Sequence, residues 1–162
     1  MHYFHTRNFY LFTLLICLLT SCTYFYTRID SRVVENIEAY ERLVVQLSKV
    51  EKEGSRRKFK YDSQLSQFKT TLFSEYKIYE DISRLHQDDL LHFYSFSSSK
   101  VILFGTKSHY DGAGTRYAHQ LHYKANNELP TFDNKENICF QMIKSERIKE
   151  NWFYVIMSIC DI

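Results

Sequence analysis

Glycine and proline are scarce in this sequence: its 162 residues include four glycines and one proline. Extensive disorder is not expected, because disordered chains are enriched in these residues and poor in apolar ones. The hydrophobic fraction of 44% and the charged fraction of 25% are ordinary for a globular protein. The chain also has no large excess of charge of either sign, since the formal net charge is +2. That value gives no reason to expect a nucleic-acid partner.

Motifs of catalysis and metal binding are also missing. The sequence has no His-Glu-x-x-His, no Cys-x-x-Cys, no calcium-binding loop and no Gly-x-Ser-x-Gly elbow. His119 and His122 lie on opposite faces of a predicted strand, so they cannot share one ion. His92 follows Asp88 and Asp89 at a spacing that favours an ion pair over a metal site. We therefore predict no catalytic residue, no metal site and no cofactor.

An apolar run near the N-terminus is too short to cross a bilayer. It covers residues 11–19 and follows a polar and aromatic stretch in which Arg7 is the only permanent charge. A membrane-spanning helix needs roughly 20 such residues, whereas about ten suit the central region of a signal peptide. The run ends in Leu19-Thr20-Ser21-Cys22.

These last residues resemble the lipobox of bacterial lipoproteins, in which an aliphatic residue and two small residues precede an invariant cysteine. In that family the cysteine thiol receives a diacylglyceryl group, and the chain is then cleaved just before it. The resemblance implies that Cys22 is the acylated N-terminus. It also implies a signal peptide over 1–21, a lipidated tether over 22–29 and a single domain over 30–162.

The residue after the acceptor cysteine bears on the location. In many diderm bacteria an Asp there keeps a lipoprotein on the inner membrane, so Thr23 implies the outer membrane where the host has both. Two alternatives remain open. In one, the leader is an ordinary secretory signal and Cys22 is a coincidence. In the other, an uncleaved anchor continues through Tyr26.

Apolar spacing predicts helices in the first half of the mature chain. The first helix covers 30–53, where apolar residues recur every three or four positions. Asp30 or Ser31 is expected to cap it, and Gly54 is expected to stop it. A second helical pattern covers 62–93.

Strands are expected in the second half. The helical pattern weakens near His86–Asp89, and short apolar or alternating runs come after it. Gly112-Ala113-Gly114 is interpreted as a turn and not as a phosphate-binding loop, because residues 116–124 alternate like a strand. The predicted strands cover 101–104, 116–124, 138–144 and 152–160. The fold class is therefore α+β, with N-terminal helices followed by an antiparallel sheet of about four strands.

Two features allow a binding function without requiring one. The basic run over 56–60 suits anionic headgroups or cell-wall polymers, although a solvated turn between helices is the favoured interpretation. Aromatic side chains on the strands suit sugars or a protein partner, although core packing is favoured for them. These aromatic residues are Tyr94, Tyr110, Tyr117, Tyr123, Trp152 and Tyr154.

Two cysteines of the mature chain are predicted to form a disulfide. A hairpin that turns at Lys149-Glu150 sets Cys139 opposite Cys160, close enough for a bond. An oxidising compartment preserves such a bond. A longer loop over 145–151, a register that differs by two residues, and two buried free thiols are the alternatives. The same register predicts three apolar pairs: Phe140 with Ile159, Met142 with Met157, and Ile143 with Ile156.

The sequence thus favours a membrane-anchored envelope lipoprotein with a small, non-catalytic binding or accessory domain. Its partners would be the membrane, through the lipid on Cys22, and an envelope protein or glycan. One alternative is a periplasmic hydrolase, which requires a cleft with His109 or His119 beside a carboxylate. Others are a secreted, non-lipidated protein or inhibitor, and a structural tether without a ligand.

Overall fold

The computed structural model describes residues 26–60, 78–111, 114–131 and 140–160. These residues form the predicted α+β architecture, but with six strands instead of about four. The helices are α1 (Ser31–Glu35), α2 (Ile37–Val50) and α3 (Ile78–Gln87). The strands are β1 (Ser55–Lys58), β2 (Phe93–Ser98), β3 (Val101–Tyr110), β4 (Thr115–Lys124), β5 (Phe140–Lys149) and β6 (Trp152–Cys160).

The first predicted helix is two helices that meet at Asn36. Asp30 caps α1, and its carboxylate accepts the backbone N–H of Arg32 at 3.1 Å. At the break, the Asn36 side-chain amide donates to the Arg32 carbonyl at 2.9 Å, which competes with the helical pattern. α2 ends at Val50, before the expected stop. Gly54, with a φ of 81°, instead shapes the turn into β1.

The second predicted helix is shorter than its apolar pattern. Residues 62–77 lie outside the described residues, and α3 ends at Gln87. The weakening near His86–Asp89 is therefore confirmed as a helix end. The expected continuation to residue 93 is wrong, because Phe93 begins β2.

The strands form one sheet in the order β1-β2-β3-β4-β6-β5, and every neighbouring pair is antiparallel. β1 and β2 are the two strands that the sequence patterns do not predict. β1 contains three consecutive cations and was expected to be a turn, but it pairs with β2 from Ser55 opposite Phe96 to Lys58 opposite Phe93. Its charges are tolerated because it lies at an edge of the sheet.

The helices pack against one face of the sheet, named here the helix face. From α2, the side chains of Tyr40, Leu43 and Leu47 are fully buried. From the sheet, the rings of Phe104 and Trp152 stack with their centroids 6.1 Å apart, and Tyr40 meets the Phe104 ring edge-on at 5.3 Å. Burial of such large rings contributes much of the stability of a small core.

The core interpretation is confirmed for most of the strand aromatics. Tyr94, Trp152 and Tyr154 are buried in the core, and Tyr117 and Tyr123 pack against it while partly buried. Tyr110, at the end of β3, is the exception among the six, since 56% of it is exposed.

Alternate residues of the same strands point to the opposite side of the sheet, named here the groove face. Phe153, Val155 and Met157 are buried there, and Met142 packs against them. The Arg147 guanidinium lies over the Phe153 ring, 5.5 Å from its centroid.

The β5–β6 hairpin has the predicted register at its open end only. Phe140 pairs with Ile159 and Met142 pairs with Met157, as predicted. The Ile143–Ile156 pair is wrong, because a β-bulge places Lys144 opposite Ile156. A further bulge lies between Arg147 and Lys149, and the turn is Glu150-Asn151 instead of Lys149-Glu150. Asn151 has a φ of 64°, a conformation that Asn adopts more readily than most residues.

The predicted disulfide remains a prediction. Cys139 lies outside the described residues. Cys160 is exposed at the end of β6 and forms no disulfide with any described residue. The neighbouring pair Phe140–Ile159 keeps the register on which the prediction depends.

Candidate ligand-binding groove

A groove of about 920 Å³ lies mainly on the groove face, and part of its wall comes from Lys107, His109 and His119 on the helix-face side of β3 and β4. It extends from β1 over β2, β3 and β4 to the ends of β5 and β6. Its described lining includes cations around a largely apolar floor. The cations are Arg56, Lys58, Lys60, Lys107 and Arg116, and the apolar residues are Phe93, Leu103, Ala118, Phe140, Met157 and Ile159.

The basic run supplies one side of the groove because it is a strand. Successive side chains of a strand point to opposite faces, so Arg56 and Lys58 face the groove while Arg57 faces away. The Arg57 guanidinium lies 3.6 Å from the Glu51 carboxylate. The Arg56 guanidinium instead lies over the Phe93 ring, 4.7 Å from its centroid. The strand alternation thus directs Arg57 to an ion pair within the fold, whereas Arg56 and Lys58 face the groove.

Gly105 lets the floor of the groove form. A Cβ added at this glycine would overlap the Phe93 ring, so the ring lies directly against the β3 backbone. Gly105 is also where β3 departs from regular pairing with β4, because the register shifts between Gly105 and Lys107. A glycine that ends an apolar run was the sequence signal for this close approach.

Arg116 is the central cation at the other side of the groove. It belongs to a row of residues that face each other across four strands, named here the transverse row: Tyr110 opposite Arg116, Arg116 opposite Ile159, and Ile159 opposite Phe140. The Arg116 Nε is buried and has no hydrogen-bond partner among the described residues. A guanidinium in this condition is suited to bind an anion.

Acidic groups offer little compensation for these charges. Asp89 is the one carboxylate in the described lining, and its Oδ1 lies 3.1 Å from the His92 Nε2. The predicted contact between His92 and an adjacent aspartate is therefore present. Lys107 is bound elsewhere, since its Nζ lies 3.0 Å from Asp30. Within the described ranges, Arg56, Lys58 and Arg116 form no ion pair.

Two histidines of the groove wall were candidates for catalysis. His119 is buried on the helix face, where its Nδ1 lies 3.0 Å from the Tyr154 hydroxyl. Burial, and then the charges of Lys107 and His109, lower the pKa of His119 to about 4. The His109 ring meets the His119 ring edge-on at 5.5 Å, and burial lowers the pKa of His109 as well. Both rings are thus favoured in their neutral forms.

Asp30, a buried carboxylate whose charge acts on His119, does not complete a catalytic pair with it. Asp30 receives hydrogen bonds from Arg32 at 2.8 Å and from Lys107 at 3.0 Å. These bonds hold the pKa of the Asp30 carboxyl well below its usual range. The His119 Nδ1 is engaged by Tyr154 instead. This cluster therefore joins α1 to the sheet, and its geometry does not match the His–carboxylate pair that a hydrolase needs.

His119 and His122 lie on opposite faces of β4, as predicted, with His122 on the groove face and His119 on the helix face. The His122 Nε2 lies 2.8 Å from the Gln120 side-chain oxygen. Burial and then the charge of Lys124 lower the pKa of His122 to about 4. Within the described ranges, no group of three or more His, Cys, Asp or Glu side chains is arranged to hold a metal.

The segment before α1 is docked on the helix face, at the end of the sheet that holds the transverse row. The Tyr26 ring stacks on Tyr117 with centroids 5.3 Å apart and planes 9° apart, and it lies 6.3 Å from the His109 ring. Ile29 packs against the core, and the Asp30 N–H donates to the Tyr154 hydroxyl at 3.4 Å. Part of the predicted tether is thus held by the domain, and Cys22 itself lies outside the described residues.

The comparisons with known proteins found no relative of this chain. No protein-family model, no curated protein and no solved structure matches this chain. Among the helices of the described residues, none has both the length and the apolar character for a membrane span.

Proposed function

We propose that this chain is an envelope lipoprotein, anchored through an acylated Cys22, whose domain binds an anionic amphiphile in the groove without converting it. The observation that carries the binding function is the combination of Arg56, Lys58 and Arg116 with an apolar floor. In the described part of the chain these cations have no acidic partner. Such a site favours a ligand that supplies both negative charge and apolar surface.

The size of the groove supports a small ligand. Pockets for small molecules typically enclose about 300–1,000 Å³, and this one encloses about 920 Å³. An acidic glycan would neutralise the cations but leave Phe93, Leu103 and Met157 without an apolar partner. An acidic amphiphile meets both requirements, and so we prefer it to the envelope protein or glycan expected from the sequence.

The anchor is proposed from the lipobox resemblance of Leu19-Thr20-Ser21-Cys22. More than one acyl chain is needed for stable anchoring, and a lipoprotein cysteine carries them. With Thr23 after the acceptor, the outer membrane is the proposed location in a host with two membranes. The accessory role would then be to hold or present the amphiphile at that surface.

Intact mass and membrane fractionation test the anchor. We expect a mature chain that begins at Cys22 and carries acyl chains, and a Cys22→Ala variant that stays unprocessed. A soluble, unacylated product would refute the anchor. Alkylation of the native chain, with and without reduction, tests the Cys139–Cys160 bond in the same spectra, because two thiols that react before reduction would exclude it.

NMR of the methionine methyl groups tests whether the groove binds an anionic amphiphile. After removal of the leader, Met142 and Met157 are the only methionines, and of the two only Met157 lines the groove. The probe is octyl phosphate, added to the mature chain in neutral detergent, with uncharged octyl glucoside as its matched control. We expect the phosphate to shift the Met157 signal more than the Met142 signal, and the glucoside to shift neither comparably.

Charge variants make this test specific. Arg116→Gln is expected to weaken octyl phosphate binding by about tenfold, because a hydrogen bond between charged groups is lost. Lys49→Gln, on the exposed side of α2, is the control and is expected to bind like the unchanged chain. Equal effects of the two variants, or no shift at Met157, would refute the binding function.

A further inference from the structure

We propose that the transverse row docks the domain on an anionic lipid surface, namely the leaflet that holds the Cys22 anchor. The groove would then open towards the lipid headgroups of that leaflet. This inference rests on the proposed function and names the source of its ligand: the amphiphile is an anionic lipid of the membrane to which the chain is tethered.

The transverse row is a continuous strip at one end of four strands. Tyr110 is the last residue of β3 and Phe140 is the first residue of β5, with Arg116 and Ile159 between them. Tyr110 is 56% exposed and Phe140 is 46% exposed. At roughly 4.8 Å per strand, the row is about 14 Å long. It therefore presents an aromatic side chain at each end and a cation between them.

This combination suits the interface between a membrane and water. Tyr and other aromatic side chains are enriched at the headgroup level, where an apolar ring and a polar tip are both accommodated. Cations near an anionic leaflet add electrostatic attraction. Arg116, Lys58 and Arg56 all line the groove that the row borders, so they would face the same surface.

The segment that joins Cys22 to α1 would bring the end of the sheet with the transverse row close to the membrane. Tyr26 stacks on Tyr117 on the helix face, and Tyr117 is next to Arg116, which faces the groove, in β4. From Cys22 to Tyr26 there are four residue steps, and four steps of extended chain reach at most about 14 Å. An acylated Cys22 would thus hold Tyr117, and the row next to it, within a short distance of the lipid.

The opposite side of the domain carries charges of both signs. α1 and α2 expose the carboxylates of Glu35 and Glu38, but they also expose the cations of Arg32 and Lys49. An anionic leaflet would repel these carboxylates and attract these cations. The groove face differs because Arg56, Lys58 and Arg116 have no acidic partner there among the described residues, and this difference favours contact through the groove face.

Photo-crosslinking of the acylated full chain in vesicles tests the orientation. Benzoylphenylalanine is placed at position 110 in one sample and at position 45 in the other, because Tyr110 and Val45 are 56% and 54% exposed. The vesicles contain phosphatidylcholine alone or with added phosphatidylglycerol. We expect lipid adducts at position 110 in the anionic vesicles and background levels at position 45.

Charge dependence completes the test. In anionic vesicles with Arg116→Gln, the adduct yield at position 110 is expected to fall about fivefold, since one cation near an anionic leaflet accounts for about that factor. In neutral vesicles the fall is expected to be larger, because Arg56 and Lys58 lose their attraction as well. Lys49→Gln is expected to leave the yield unchanged. Equal yields at positions 110 and 45, or a yield that ignores both headgroup charge and Arg116→Gln, would overturn the docking.

The experiments distinguish a failure of the membrane docking from a failure of the proposed function. If Met157 responds to octyl phosphate but position 110 does not crosslink, the groove binds an amphiphile and only the membrane docking is wrong. If intact mass shows no acyl chains, the proposed anchor is wrong and the docking inference falls with it.

Discussion

Charged side chains on the two faces of the sheet differ in what surrounds them. On the helix side, Asp30 is bound by both Arg32 and Lys107, and Arg42 forms two hydrogen bonds with Asp81 at 2.7 and 2.8 Å. Tyr94 donates a hydrogen bond to Glu51, which also faces Arg57. On the groove face, Arg56, Lys58 and Arg116 have no such partners within the described ranges.

Charges on the helix side thus stabilise the fold through ion pairs, whereas the cations on the groove face are available to bind a ligand. A buried or half-buried carboxylate without a partner is destabilising, so the helix side pairs its charges where the helices join the sheet. Within the described ranges, the cations of the groove face have no ion pair to lose when they are neutralised, and Arg56 has only its contact with the Phe93 ring. Substitutions on the helix side should therefore cost more stability than substitutions of the exposed or unpaired residues on the groove face. The first and third predictions below test this difference, and the second compares one buried histidine from each face.

The largest effect is expected at Trp152 in the helix-face core. Its ring contacts Phe104, Tyr40 and Tyr123, and it is 2% exposed. Trp152→Ala should lower the free energy of unfolding by about 3–5 kcal/mol. Phe140→Ala, on the exposed transverse row, is the control and should cost less than about 1 kcal/mol. Denaturant unfolding measures both, and similar losses would contradict the comparison.

The second prediction concerns pH. The unfolded chain carries histidines with a pKa of about 6.5, whereas those of the buried His119 and His122 are about 4. Between these values the unfolded state binds more protons, so stability falls as pH falls from about 6.5 to about 4 and this loss levels off below that. The loss is up to about 3 kcal/mol for each ring.

Unfolding measured across this pH range checks that expectation. His119→Gln and His122→Gln should each reduce the slope of stability against pH, and the double variant should reduce it further. Their stabilities at neutral pH are not the readout, because either substitution also alters packing. A slope that is unaffected by both substitutions would show that these rings do not account for acid sensitivity.

The smallest effect is expected from single cations. Arg42→Gln removes an ion pair on the helix side and should cost about 1 kcal/mol or less, as an exposed partner limits its contribution. Lys58→Gln, in the groove, should change the free energy of unfolding by less than about 0.5 kcal/mol. A larger loss for Lys58→Gln would mean that the groove cation stabilises the fold.

Elements with a strong apolar period could be predicted from the sequence, and β1 and β2 could not. The α2 pattern and the runs in β3, β4 and β6 bury one face or both, so hydrophobic spacing reports them. β1 is an edge strand of charged residues whose pairing depends on β2, and no local pattern shows it. The β5 register was predicted up to Met142, but the bulge at Ile143 depends on tertiary packing.

The groove could not be predicted from sequence patterns either, because it also depends on how distant strands pair. Its cations come from β1 and β4, which are far apart in sequence and are brought together by the order of the strands. The alternation of Arg56 and Lys58 was visible, but their face could not be assigned without β1 as a strand. His119 and His122 were placed on opposite faces correctly, because that inference needs only the local period of a strand.

The two edges of the sheet also bear on how copies of this protein behave at high density. An unpaired edge strand can recruit another copy and start edge-to-edge aggregation. At one edge β1 is four residues long and contains Arg56-Arg57-Lys58, so an approaching β1 would set cation against cation. At the other edge the two bulges of β5 interrupt the regular ladder that a new strand would need. Copies crowded in one plane would therefore stay separate, and each would keep its own groove accessible.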